Sequence, residues 1–360
     1  MTLIASISNF SYPVVIGDLL TSSSKFNEDF ILPTFLQGIE EYLPKDAKAY
    51  PLKLIQKTYI IKNNLVVAIA GDYFKNMYFI ESVKEYFKEK DCNKYNLGMF
   101  LSEYDQNEYT GTEYLFLFYE KKQEKFLMNV LTVGESWKSH NSDLFGEIHA
   151  VGSGSSDFII ESKRYNNIIG YGELDIEFQA LSASLSLISG LLATESFSLE
   201  TIKKYWGAGF ELISFNAEKE SFYKMDELTY IIWRGKINDV TNELDVQPFL
   251  VLGYKYFNNI LLINSFNSGK YERLAVLPID LDKDNVDMSV FPKAVEFNEE
   301  VVLNTFILDL PNGEVLTPSL VCRKGNSDTG DVFIDVKQDG QLEIGISETV
   351  TTELYRQIKK

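Results

Sequence analysis

Short apolar runs broken by turn residues dominate the first third of the chain. Leu3 to Ser8 and Val14 to Ile16 read as two strands, and the turn-like Asn9-Phe10-Ser11-Tyr12-Pro13 between them predicts a hairpin. A polar, then mixed stretch from Thr21 to Tyr50 holds one helical pattern, Phe30 to Tyr42. Leu52 to Ile61 and Leu65 to Ala70 form a second hairpin around Lys62-Asn63-Asn64, a segment with hairpin turn chemistry. From Tyr73 to Lys90 the period changes to that of a helix: Phe79, Val83, Tyr86 and Phe87 share one side, the pattern of an amphipathic helix covering a sheet. Tyr114 to Tyr119 and Lys125 to Val133 make a third hairpin, and Glu147 to Val151 runs into Gly152-Ser153-Gly154-Ser155. Ile176 to Ala193 and Leu199 to Tyr205 read as helices, followed by Gly207-Ala208-Gly209 and the strand Phe210 to Phe215. Strands, helices and strands again in this order predict an α+β protein of sheets sandwiched with helical layers.

Beyond about Gly235 the pattern is almost wholly β, with Phe249 to Phe257, Ile260 to Phe266, Leu274 to Leu281, Val301 to Leu310, Val315 to Arg323, Val332 to Val336 and Leu342 to Ile346. This divides the chain into residues 1–235 and a separate β-rich module, 236–360, of sandwich or barrel type.

Composition narrows the function classes. The 360 residues carry 34 basic and 52 acidic side chains, a net charge of -18, which argues against nucleic acid or an anionic membrane as partner. With 45% hydrophobic residues there is ample material for buried cores. Cys92 and Cys322 form neither a disulfide framework nor a multi-cysteine zinc site, and a cytoplasmic location is expected. The start lacks the pattern of a secretory signal, and the most apolar run, Leu181 to Ala193, is short for a membrane span. His140 and His149 lack an acidic residue at metal-ligand spacing and are read as structural, as are both cysteines, so no metal or cofactor is expected. The acidic stretch Asp280 to Asp287 lacks the glycine and terminal glutamate of a calcium loop and reads as solvated.

The candidate chemistry lies at the start. Initiator methionine is removed when a small residue follows, so loss of Met1 leaves Thr2 with a free α-amine. Such a threonine is nucleophile and base at once: Oγ1 attacks a carbonyl while the amine, with a reference pKa of about 8, accepts the proton. A nearby lysine tunes the amine, a carboxylate keeps the lysine charged, and a backbone N–H stabilises the oxyanion.

An ordered set of segments resembles the β-type subunits of the proteasome and the related bacterial peptidase that works with a ring-shaped unfoldase, all N-terminal-nucleophile hydrolases. Thr2-Leu3-Ile4-Ala5-Ser6-Ile7 resembles the family's opening strand, and Val14-Val15-Ile16-Gly17-Asp18 its second strand with its aspartate. The step from Thr2 to Asp18 matches the family's, as does that from Lys57 to Gly71. Gly152-Ser153-Gly154-Ser155 resembles the serine-glycine turn beside the active site, and Gly207-Ala208-Gly209-Phe210 the late glycine-rich turn. Over residues 2 to 235 the resemblance implies a four-layer α-β-β-α N-terminal-nucleophile hydrolase fold and a threonine peptidase. It implies Thr2 as nucleophile, Asp18 paired with Lys57, the Gly71 N–H as oxyanion donor and Ser153 supporting the amine. It also implies a peptide or unfolded-protein substrate, assembly into a homo-oligomeric ring and an ATP-dependent unfoldase as partner. Strand alternation puts Ile55, Lys57 and Tyr59 on one face, and Ile69 falls where the family lines its substrate pocket; three uncharged neighbours imply preference for an apolar residue before the scissile bond.

The departures are specific. The interval from Asp18 to Lys57 is about twice the family's, which marks an insertion around 24–50 over or beside the cleft, as lid, ring contact or plug. Leu20 replaces a common arginine and Asp72 a glycine. The aspartate that braces the nucleophile has no counterpart, with Glu195 and Ser198 as substitutes. Three alternatives stand beside the peptidase: a non-catalytic scaffold or partner-binding subunit; a small-amide hydrolase with the same nucleophile; and a platform whose C-terminal module binds protein or carbohydrate through Trp233 and Tyr254-Lys255-Tyr256-Phe257.

Overall fold

Alternation of buried side chains along the opening strands shows how the layers stack. The structure, a computed structural model, describes residues 2–9, 12–25, 27–43, 47, 49–104, 110–123, 125–164, 176–237, 244–267, 269–281, 286–287, 291, 297, 301–310, 313, 315–323, 332–336 and 342–358. The chain begins with β1 (Ile4–Asn9), β2 (Tyr12–Asp18), β3 (Leu20–Ser23), β4 (Tyr50–Gln56), β5 (Thr58–Lys62) and β6 (Leu65–Gly71). Helices α1 (Tyr73–Glu89) and α2 (Lys94–Glu103) precede β7 (Thr112–Lys122), β8 (Lys125–Val133), β9 (Lys138–Ser142) and β10 (Gly146–Val151). Then come α3 (Ser155–Arg164), α4 (Ile176–Ser198), α5 (Glu200–Lys203), β11 (Phe210–Asn216), β12 (Ser221–Lys224), β13 (Leu228–Ile237), β14 (Leu244–Phe257), β15 (Ile260–Asn267) and β16 (Lys270–Pro278). The chain closes with β17 (Val301–Asp309), β18 (Val315–Leu316), β19 (Ser319–Arg323), β20 (Val332–Val336), β21 (Leu342–Ile346) and α6 (Glu348–Ile358).

A first sheet, in the order β12-β11-β2-β1-β10-β9, is antiparallel throughout, as is a second, β5-β6-β7-β8. The third, β18-β17-β13-β14-β15-β16-β4-β3, is mixed, with parallel pairs β13·β17 and β16·β4. Side-chain alternation splits β6 between two cores. Leu65, Val67 and Ile69 pack against Phe79, Val83 and Phe87 of α1, while Val66 and Ala68 meet Ile4 and Val15 of the first sheet. Leu3, Ala5 and Ile7 leave that sheet on its other side and meet Leu185, Ile188 and Leu192 of α4. The same core continues into Tyr230, Leu252 and Leu303 of the third sheet, so α4 lies between two sheets. Ile231, Trp233 and Phe306, on the far face of the third sheet, pack on Val332 of β20 and Leu354 of α6.

Among the described residues strand content outweighs helix, 49% to 26%, which is compatible with an α+β fold. All three hairpins anticipated from turn residues form, although residues 10 and 11 of the first turn lie outside the described residues. Three expectations need correction. Phe30 to Tyr42 is not a helix: Pro33 and Gly38 interrupt it, and it carries only a bridge between Leu32 and Phe35 and one 3-10 turn, Glu40–Tyr42. Leu52 to Ile61 is not one strand, because the chain passes from the third sheet to the second at Lys57. Leu199 to Tyr205 shortens to α5, entered through Leu199 at φ 53. Helix α4 outruns the apolar segment read from sequence: its 22 residues Glu177–Ser198 suffice in length and composition to cross a membrane, but 89% of its most apolar window is buried inside the protein.

The boundary drawn at 235/236 falls within β13, and the sheet that β13 enters shares one apolar core with α4 and β1. Truncating a fully buried side chain in that core, Leu187→Ala on α4, should cost about 2–5 kcal/mol. Scanning calorimetry should show one transition moving down in temperature, with no separate melting of residues 236–360.

Candidate active site

Asp18 ends β2 beside the start of β1, where Gly17 pairs with Ile4, and its carboxylate is fully buried. Its Oδ1 accepts hydrogen bonds from Thr2 Oγ1 at 2.5 Å, the Leu3 N–H at 2.7 Å and Lys57 Nζ at 2.6 Å. Oδ2 accepts from the Gly207 N–H at 2.8 Å. Lys57 Nζ also donates to the Leu20 carbonyl at 2.5 Å. Thr2, Asp18 and Lys57 are thus one buried, hydrogen-bonded cluster. Burial pushes the Lys57 ammonium below its ordinary pKa, opposed by Asp18, whose charge and hydrogen bond favour the protonated form. A buried lysine that shares one carboxylate oxygen with the Thr2 hydroxyl fits the tuning of an α-amine; Met1 lies outside the described residues.

The turn after β10 closes over Thr2. The Gly154 N–H donates to the Thr2 carbonyl at 3.3 Å, and Ser153 Oγ donates to the same oxygen at 3.4 Å and to the Tyr205 carbonyl at 3.5 Å. A Cβ on Gly152 would stand 2.0 Å from the Thr2 carbonyl oxygen, so only glycine allows this approach. Ser153 therefore touches the carbonyl of Thr2, where the sequence placed it beside the amine. At the other wall Gly71 ends β6, exposed and at φ 107.

Gly207, Ala208 and Gly209 all have positive φ, at 106, 62 and 103, a backbone that turns successive N–H groups to one side and suits anions. Here the anions are two side chains. The Gly207 N–H serves Asp18, and the Ala208 N–H serves both oxygens of Glu195, at 3.1 and 3.0 Å. Glu195 is buried and also accepts from Thr201 Oγ1 at 2.6 Å and Thr34 Oγ1 at 2.5 Å. It braces the turn behind Asp18 and makes no hydrogen bond with Thr2. Ser198 Oγ donates to the Thr194 carbonyl of its own helix at 3.0 Å and accepts from the Glu200 N–H at 3.4 Å, contacts that stay local to the end of α4. Thr34 belongs to the anticipated insertion, whose Pro33 carbonyl accepts from Ser265 Oγ at 2.5 Å. Leu32 and Ile39 pack with Leu20, Leu199, Ile202 and Ala208 in an apolar cluster behind the site, and neither lines the cavity at Thr2.

Thr2, Lys57 and Gly71 line one cavity of about 420 Å³, with Ile55, Ile69, Ala70 and Ile279 as apolar wall and Thr21, Ser22 and Ser23 opposite. A second cavity of about 560 Å³ adjoins it through Leu52, Lys53, Tyr73 and Phe74. Tyr59 does not line the first cavity: the break at Lys57 sends it elsewhere, and its hydroxyl donates to the Gln56 carbonyl at 2.6 Å and accepts from the Ile279 N–H at 2.9 Å.

Sequence reading missed Glu211, whose carboxylate accepts the Lys57 N–H at 2.8 Å. A lone carboxylate inside the apolar run Phe210 to Phe215 was the available signal. Trp233 and Tyr254, suggested as ligand contacts, are buried, with Trp233 Nε1 donating to Asn304 Oδ1 at 2.9 Å. His149 meets Ser139 across two strands through Nδ1 at 2.9 Å. Cys92 is buried and its thiol is pushed up to about 12 by burial; the Cys322 side chain lies outside the described residues. Asp280 pairs with Lys84, and residues 282–285 of the acidic stretch lie outside the described ones. Among the described residues no group of three His, Cys, Asp or Glu is gathered to hold a metal.

No protein-family model and no curated protein matches the sequence. Among solved structures, the crystal structure of eukaryotic HslV from Trypanosoma brucei is similar over 59% of this chain and 99% of that chain, at 14% identity and a TM-score of 0.33. At that score the likeness is remote and carries nothing about chemistry here.

Burial, outweighing its hydrogen bonds from Thr201, Thr34 and Ala208, raises the Glu195 carboxyl from 4.5 to about 7. Between those values the unfolded chain has released a proton that the folded chain keeps, so this group costs stability as pH rises through the window, up to about 3 kcal/mol. Urea unfolding at pH 5 and pH 7 should show wild type losing more stability than E195Q over that step.

Proposed function

We propose that the protein is a proteasome-like threonine peptidase, with Thr2 as nucleophile once Met1 has been removed. The observation that carries this is the Asp18 carboxylate, which holds the Thr2 hydroxyl and the Lys57 ammonium together at a cavity also lined by Gly71. In this reading the freed α-amine takes the Oγ1 proton, and Oγ1 attacks the scissile carbonyl. Lys57, kept charged by Asp18, holds down the proton affinity of the amine. The Gly71 N–H receives the oxyanion, and the Ser153 turn fixes the Thr2 carbonyl. The amine then returns its proton to the leaving nitrogen, and water releases the acyl group from Oγ1.

The stacking of α1 and α2, the second sheet, the first sheet, then α3 and α4 supports the α-β-β-α N-terminal-nucleophile hydrolase fold over residues 1–235, with 236–360 as an added β-rich layer. Two adjoining cavities favour a peptide over a small amide as substrate. Ile55, Ile69 and Ile279 favour an apolar side chain before the scissile bond. A ring of identical subunits fed by an ATP-dependent unfoldase completes the reading.

Intact mass of the native protein, before and after incubation with a peptide epoxyketone, tests it directly, because the ring adduct needs both the hydroxyl and the free amine. Loss of Met1 and one adduct, abolished in Thr2→Ala and slowed at least about 100-fold in Lys57→Ala, is the expected result. A retained Met1, or a free Thr2 that stays unlabelled, would overturn it in favour of a non-catalytic scaffold. Peptide substrates should be cut faster after Leu or Phe than after Lys, Arg or Asp.

A further inference from the structure

Lys57 is fixed by more than its side chain. Its carbonyl accepts the Ile69 N–H of β6 at 3.0 Å, and its own N–H donates to Glu211 Oε2 on β11 at 2.8 Å. The next amide, Thr58, donates to the same oxygen at 3.3 Å. These amides sit where the chain crosses from the third sheet to the second, and Gly17 of β2 lies flat against the crossing: a Cβ there would be 2.8 Å from Thr58 Cγ2.

The other oxygen of Glu211 faces the opposite way. Oε1 accepts from Lys224 Nζ of β12 at 2.7 Å and from the Tyr256 hydroxyl of β14 at 2.9 Å. Lys224 also donates to Gln56 Oε1, and Gln56 Nε2 in turn donates to the carbonyls of Asn259, at 2.6 Å, and Val276, at 2.8 Å. Tyr256, Asn259 and Val276 all belong to residues 236–360.

We propose that Glu211 is a positioning residue for Lys57, and that the C-terminal β layer supports the site by holding the far oxygen of Glu211 through Tyr256. The inference rests on the threonine-nucleophile reading and gives the C-terminal residues a function within it. The groups around the clamp are Asp18 on β2 and Glu211 on β11, which face Lys57, and Lys224 on β12 and Tyr256 on β14, which face Glu211. Tyr59 of β5 lies beyond Lys224, and Glu195 of α4 behind Asp18. The Glu211 charge favours the protonated form of Lys57, so its removal lets Lys57 lose its proton at lower pH.

The test is the rate of epoxyketone labelling against pH for wild type, Glu211→Gln, Tyr256→Phe and the surface control Lys121→Ala, together with KM and kcat on one apolar peptide. Glu211→Gln should label about 10- to 100-fold more slowly, lose kcat with little change in KM, and show its basic limb shifted to lower pH. Tyr256→Phe, which keeps the charge, should slow labelling a few-fold with the limb unmoved, and the control should match wild type. A folded Glu211→Gln protein with wild-type rate and profile would overturn the inference while leaving the nucleophile reading intact. A wild type that takes no adduct would overturn both. Should Glu211→Gln not fold, Glu211→Asp and Tyr256→Phe decide: slowed labelling supports the clamp, and wild-type labelling by both overturns it.

Discussion

A carboxylate fully removed from water needs its partners supplied by the protein, and Asp18 draws them from three separate stretches of chain. The Thr2 hydroxyl and Leu3 amide come from the N-terminus, the ammonium of Lys57 from the crossing between sheets, and the Gly207 amide from the turn before β11. Leaving such a charge unpaired costs several kcal/mol, so the four contacts stand or fall together. The requirement explains local features that would otherwise look arbitrary. The strand that reads as continuous from Leu52 must break at Lys57, and a run of three positive φ angles must precede β11.

The same device recurs behind the site. Glu195 and Glu211 are buried acceptors, each of whose partners come from different layers: Thr34, Thr201 and Ala208 for one, Lys57, Thr58, Lys224 and Tyr256 for the other. In a chain of net charge -18 these interior carboxyl groups hold layers in register through hydrogen bonds, while the apolar cores supply the bulk of the driving force. Three linked carboxylates also make the region sensitive as a unit, since removing one partner strands the others.

What was legible in the sequence follows from range. Hairpins around Lys62-Asn63-Asn64 and between Tyr119 and Lys125 were visible because their turns and apolar alternation are local. Thr2 with Asp18, and Lys57 with Gly71, were visible as pairs at fixed steps, and the structure brings Thr2, Asp18 and Lys57 into contact. The role of Phe30 to Tyr42 was not, because Leu32, Thr34 and Ile39 gain their partners from Glu195, Ile202 and Ala208, far along the chain. Nor was the attachment of the final β-rich residues. Parallel pairing of β13 with β17 and of β16 with β4 depends on contacts that no local period encodes. Tyr59 was misplaced by assuming strand alternation through Lys57, where the backbone leaves one ladder for another.

The pairing of β16 with β4 has a consequence for how the chain matures. Gln56 closes onto Val276, 220 residues later, and Ile279 forms part of the wall of the cavity that Thr2 lines. Synthesis runs from Thr2 toward Ile279, so the hairpin of β1 and β2 is made long before the strand that completes the cavity wall, while its apolar faces are covered earlier, by β6 and α4. Such long loops make the last step slow to nucleate. The cavity that Thr2 lines therefore lacks part of its apolar wall until the segment after β16 has been made and has folded back on β4.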